Sequence, residues 1–126
     1  MPEKAEYWGI KSREFRKIKT LLRILALKTF EKLKPYGFTK INTKEDLLEY
    51  LVERNEGNQL IFVRFGLLFE SPKKYEIILR KWSKESPSQT CVDLYSRQYD
   101  SIVELENSIE TELEEIIKII ESIRKP

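Results

Sequence analysis

Ten residues, Leu60 to Phe69, constrain this chain more than any others. They read L-I-F-V-R-F-G-L-L-F: eight of the ten are apolar, and five are β-branched or aromatic. Gly57-Asn58 stands before the run and Ser71-Pro72 after it. So short and apolar a stretch between turn residues predicts a buried strand, and its composition places it at the centre of a sheet. Only Arg64 and Gly66 interrupt it.

The rest of the chain supplies partners for that strand. Downstream come a turn at Ser71-Pro72-Lys73, a strand over Tyr75 to Trp82, a turn over Ser83 to Ser88, and a strand over Thr90 to Arg97. Upstream, Thr43 to Arg54 reads two ways. Thr43 with Asp46 imitates a capping box and Leu47, Leu48, Tyr50, Leu51 and Val52 make a helical arc, whereas Leu48, Tyr50 and Val52 also alternate against Glu49, Leu51 and Glu53. The hairpin loop Asn55-Glu56-Gly57-Asn58, with Gly57 at positive φ, decides for a strand. Short links between successive strands predict a four-stranded antiparallel meander.

Two helices flank it. Ser12 is a capping residue and Glu14 suits the first turn; from there Phe15, Ile18, Leu22, Leu25, Ala26, Phe30 and Leu33 share one side. Leu21 widens that arc, while Ile24 and Leu27 fall outside it, so this helix is expected to be covered on more than one side. Pro35 and Gly37 end it. The last helix opens on a Ser101/Glu104 capping box beside Asp100 and runs to about Arg124. Ile102, Ile109, Ile116 and Ile123 recur every seven residues with Leu105, Leu113, Ile119 and Ile120 between them. Packing inside the domain explains this seam, with a dimer through it as the rival reading. Glu104, Glu106, Glu110, Glu112, Glu114 and Glu115 read as a solvated face.

The expectation is therefore one α+β domain over residues 1–126, with both helices on one face of the sheet and residues 1–10 as an N-terminal tail that docks through Tyr7-Trp8. In outline this architecture resembles several small bacterial families, some of them immunity partners of secreted toxins. The likeness is of architecture and carries no residue over.

Charge is unevenly spread. Residues 1–40 hold 11 Lys/Arg and 4 Asp/Glu, residues 41–97 hold 9 and 9, and residues 98–126 hold 3 and 8, so +7, 0 and −5 give the net +2. No histidine is present, which removes Ser-His, Cys-His and His-metal chemistry. The single cysteine, Cys91, reads as a small buried hydrophobe and fits a reducing compartment. No P-loop, G-x-G-x-x-G or G-x-S-x-G motif occurs, and no cofactor is implied. With neither a signal peptide nor a membrane span in view, a cytoplasmic protein is the expectation.

Three functions compete. The face opposite the expected core mixes aromatics with charge, the composition of an interaction surface. Arg64, Arg80, Trp82 and Tyr95 would anchor a protein partner or a second copy, Phe62 would add apolar area, and Glu53 and Asp93 would fix register. This makes a non-enzymatic module of inhibitor, immunity or adaptor type. Alternatively, Arg13, Arg16, Lys17, Lys19, Arg23 and Lys28 lie on a first helix whose basic stretch spans about 36 Å and could meet nucleic-acid phosphates. The acidic last helix could instead neutralise them. A carboxylate-based, metal-dependent enzyme is the third reading, without an assigned ligand set.

Overall fold

The structure is a computed structural model that describes residues 12–68, 74–83 and 91–124. Helix α1 spans Ser12–Leu33 and buries Phe15, Ile18, Leu22, Leu25, Ala26 and Leu33. A 3-10 turn, Lys34–Tyr36, carries Pro35 in its first positions, and Gly37 at φ 92° ends it. Five strands follow: β1 Lys40–Lys44, β2 Glu49–Glu56, β3 Gln59–Leu68, β4 Lys74–Ser83 and β5 Val92–Tyr99. Helix α2, Ile102–Arg124, closes the chain.

All pairings are antiparallel in the order β1-β2-β3-β4-β5, so the apolar run does form the middle strand. Of that run, Phe69 lies outside the described residues, as do the turn at 71–73, most of the turn at 83–88 and the Tyr7-Trp8 tail. Gly57 takes φ 60° in a two-residue β2–β3 connection, as its hairpin signal requires.

The sheet has five strands rather than four. Thr43 to Arg54 is not one strand: β1 ends at Lys44, a 3-10 turn occupies Glu45–Leu47, and Leu48 turns the corner at φ 52°. A left-handed non-glycine residue costs about 1–2 kcal/mol. Leu48 is fully buried, which stabilises by about 1.5–3 kcal/mol, so burial offsets the strain. The corner is therefore held by packing and carries no Gly or Pro to announce it.

Strand register sets the two faces. Tyr50, Phe65 and Ile77 form one cross-strand row; Val52, Val63 and Leu79 form the next. These rows share a single core with α1 and with Leu105, Ile109, Leu113, Ile116 and Ile120 of α2, so both helices cover the same face. The Tyr50 hydroxyl donates to the Lys19 carbonyl at 3.2 Å, tying sheet to α1. Lys28 pairs with Glu110 between the helices, and Tyr36 donates to Glu121 at 3.0 Å.

Two helical expectations fail in part. Ile24 and Leu27 are 52% and 51% exposed, so α1 is covered on one side only. In α2 the seam residues Ile102, Ile109 and Ile116 are buried in the domain's own core while Ile123 is exposed, which leaves little of the seam for a second copy. The capping box forms: the Glu104 amide donates to Ser101 Oγ at 3.2 Å, and Glu104 Oε2 accepts from the Asp100 amide at 3.3 Å. No helix among the described residues is long and apolar enough to cross a membrane.

Candidate functional site: the open face of the sheet

Residues that alternate with the core rows stand on the face away from the helices. One row across the sheet is Lys44, Glu49, Gly66, Glu76, Gln98; the next is Asn42, Leu51, Arg64, Ile78, Ser96; the third is Lys40, Glu53, Phe62, Arg80, Asp93; Leu60 and Trp82 pair beyond it. Leu51, Leu60, Phe62 and Trp82 are half-buried. Ile78 is only 4% exposed although it points away from both helices.

Arg64 is fixed here by a gap in the neighbouring row. Its Nε donates to Glu49 Oε2 at 3.0 Å and one terminal nitrogen donates to Glu76 Oε1 at 3.2 Å. Gly66, between those two carboxylates, leaves the room: a β-carbon on it would stand 2.6–2.7 Å from the guanidinium nitrogens and carbon. Gln98 donates to the other Glu76 oxygen at 3.3 Å, completing the array. Arg64 is thus a clamped cation between two carboxylates, not a free anchor. The i, i+2 spacing of Arg64 and Gly66 was the readable signal, since both must face the same way.

Arg80 is engaged in the same manner. It donates to Asp93 from Nε at 2.5 Å and from a terminal nitrogen at 3.4 Å, and this hydrogen bond raises its pKa above the ordinary guanidinium value. These pairs lie partly in solvent and contribute little net stability, but they fix where the side chains sit.

Glu53 differs. It stands between Lys40 and Phe62 in the third row and is 7% exposed. No hydrogen bond or ion pair joins its carboxylate to another described residue; Lys40, directly opposite, is exposed. Arg54 Nε is the only side-chain nitrogen or oxygen among the described residues that is both sealed from solvent and unsatisfied. The Glu53 oxygens therefore keep an opening to solvent from an otherwise buried side chain.

Tyr95 does not belong to this face. Register shifts by one residue between Leu79 and Arg80, so Leu94 is an extra residue and both Leu94 and Tyr95 pack toward the core. Arg97 follows Tyr95 to the helix side and lies over its ring, 5.0 Å from the centroid. The Tyr95 hydroxyl donates to one oxygen of Glu112 at 2.7 Å and Tyr99 donates to the other at 2.8 Å. Burial, and then that bond, push the Tyr95 phenol up to about 12. Glu112 is only 5% exposed and leaves the solvated glutamate face it was assigned to. Cys91 is also reversed: it precedes β5 and is exposed.

The basic helix is divided. Lys19 and Arg23 reach Glu45 at 4.0 and 2.6 Å, and Lys28 takes Glu110. Arg13, Arg16 and Lys17 are exposed and make no ion pair with a described residue. Among the described residues, no group of three or more Cys, Asp or Glu could hold a metal ion. Compared with known proteins, the chain matches no family model, no curated protein and no solved structure.

Proposed function

We propose that this protein is a non-enzymatic protein-binding module of inhibitor, immunity or adaptor type, with the open sheet face as its interface. One observation carries the reading: Leu51, Leu60, Phe62, Ile78 and Trp82 form an apolar centre among charged side chains already locked by Glu49, Glu76 and Asp93. A face whose charged rim is held before association loses less rotamer freedom on binding. Aromatic and arginine side chains in such a setting are the types that dominate interface energies. Phe62 and Trp82 are the apolar anchors, while Arg64 and Arg80 shape the rim around them.

The test uses three full-length baits in parallel: the unaltered protein, Phe62→Ala, and the double variant Arg13→Glu/Arg16→Glu. A partner retained by the double variant and lost by Phe62→Ala supports the sheet face. The opposite pattern, with affinity for mixed RNA or DNA that falls steeply with salt, assigns function to α1, where the exposed basic trio favours a nucleic-acid reading. Light scattering on the isolated protein shows whether the partner is a second copy.

A further inference from the structure

Building on that interface, we infer that Glu53 is a receptor for a cationic side chain of the partner, a lysine or arginine whose aliphatic stem lies along Leu51 and Phe62. Ion pairing accounts for Arg64, Glu49, Glu76, Arg80 and Asp93 within the sheet. Glu53 is more deeply set than all of these but Glu76, and has no such mate among the described residues. A buried carboxylate without a partner disfavours the free fold, because desolvation is not offset by attraction or hydrogen bonding. An incoming cation supplies the missing half.

Three features match that occupant. Glu53 is only 7% exposed, yet its carboxylate oxygens are not sealed from solvent, so access is from outside. The flanking residues on the same face are Leu51, two positions earlier, and Phe62, directly across the strand pair. Together they offer an apolar wall for methylenes and a ring for cation–π contact. The nearby cations are otherwise placed: Arg80 is held by Asp93, and Lys40 is exposed to solvent. Glu53 therefore offers an incoming cation a carboxylate that no described neighbour has claimed.

Two isosteric probes test this on the isotope-labelled full chain by NMR: n-butylguanidinium and its neutral counterpart n-butylurea. The expected result is saturable shifts at Leu51, Glu53 and Phe62 with n-butylguanidinium alone. Those shifts are abolished in Glu53→Gln and unchanged in Glu106→Gln, an exposed carboxylate change on α2. Glu53→Gln is also expected to melt at the same temperature as the parent or higher, since it removes an uncompensated charge. Equal shifts from both probes, indifferent to Glu53→Gln, overturn the inference and leave the apolar interface standing. Perturbation of the open face by neither probe also overturns the inference, and the interface itself then stands or falls on the Phe62→Ala bait. A lower melting temperature for Glu53→Gln also overturns the inference, because Glu53 then serves its own fold.

Discussion

The two faces of this sheet are built from alternate residues of the same strands, yet they satisfy their polar groups in different directions. Toward the helices, polar side chains reach across the layer: Tyr50 to the Lys19 carbonyl, and Tyr95 and Tyr99 to Glu112. On the open face, polar side chains bond sideways within the sheet, Arg64 to Glu49 and Glu76, Arg80 to Asp93. Cross-layer bonds hold two elements together and so belong to stability. Lateral bonds hold side chains in position while leaving the surface free to meet something else.

The largest test of that contrast compares the neighbours Phe62 and Phe65. Phe65→Ala empties a fully enclosed site and is expected to cost about 3–5 kcal/mol in denaturant unfolding. Phe62→Ala trims a half-exposed ring and should cost about 1–2 kcal/mol. Equal losses would mean the open face is a second core, and the distinction would collapse.

A smaller effect probes the cross-layer node. Glu112→Ala strands two phenol donors and is expected to cost about 2–3 kcal/mol in the same assay. The phenols that reach across the layer also set a pH limit. The Tyr95 and Tyr50 phenols are pushed up to about 12, in both cases by burial first, from an unfolded value of 10.0. The folded protein thus holds these protons more tightly than the unfolded chain does. Their contribution is complete below pH 10 and drains away as pH climbs toward about 12. Circular dichroism melts across that window should show stability falling, with a shallower slope in Tyr95→Phe. A slope unchanged by that substitution would remove Tyr95 from the alkaline limit.

The smallest expected effect concerns the lateral array. Gly66→Ala displaces the Arg64 guanidinium and should cost about 1 kcal/mol. In an Arg64→Ala background the same change should be neutral or slightly stabilising, because the clash is gone and glycine's extra unfolded freedom is lost. Additive costs in this double-mutant cycle would show that Gly66 is needed for some other reason.

Much of the fold was legible because its signals are local. The apolar run identified the central strand, Pro35 and Gly37 the end of α1, and Ser101 with Glu104 the start of α2. Strand β1 escaped because its turn is held by a buried leucine in a left-handed conformation, a device that depends on tertiary packing and leaves no turn residue to read. Tyr95 and Glu112 escaped for one shared reason. Alternation assigns faces only while register is unbroken, and the extra Leu94 inverts everything after it. Once Tyr95 and Tyr99 turn inward, a carboxylate in a glutamate-rich helix becomes their acceptor instead of a solvated charge. The open face was readable in β2, β3 and β4, where no shift occurs, and that is where Glu53, Phe62, Arg64, Arg80 and Trp82 lie. Burial without a mate, the property that sets Glu53 apart, follows from three-dimensional crowding that no spacing encodes.

The extra residue in β5 also fixes how this strand can drift over generations. Asp93 serves the outer array and Tyr95 the inner node, and the bulge at Leu94 is what lets residues two apart face opposite sides. Point substitutions along β5 disturb one surface at a time. Deleting Leu94 would close the bulge and leave Asp93 opposite Arg80 and Tyr95 opposite Leu79, whereas deleting a residue between Tyr95 and Tyr99 would turn Tyr99 away from Glu112. Length is therefore free to change at Leu94 and is held between Tyr95 and Tyr99, where both phenols must face Glu112.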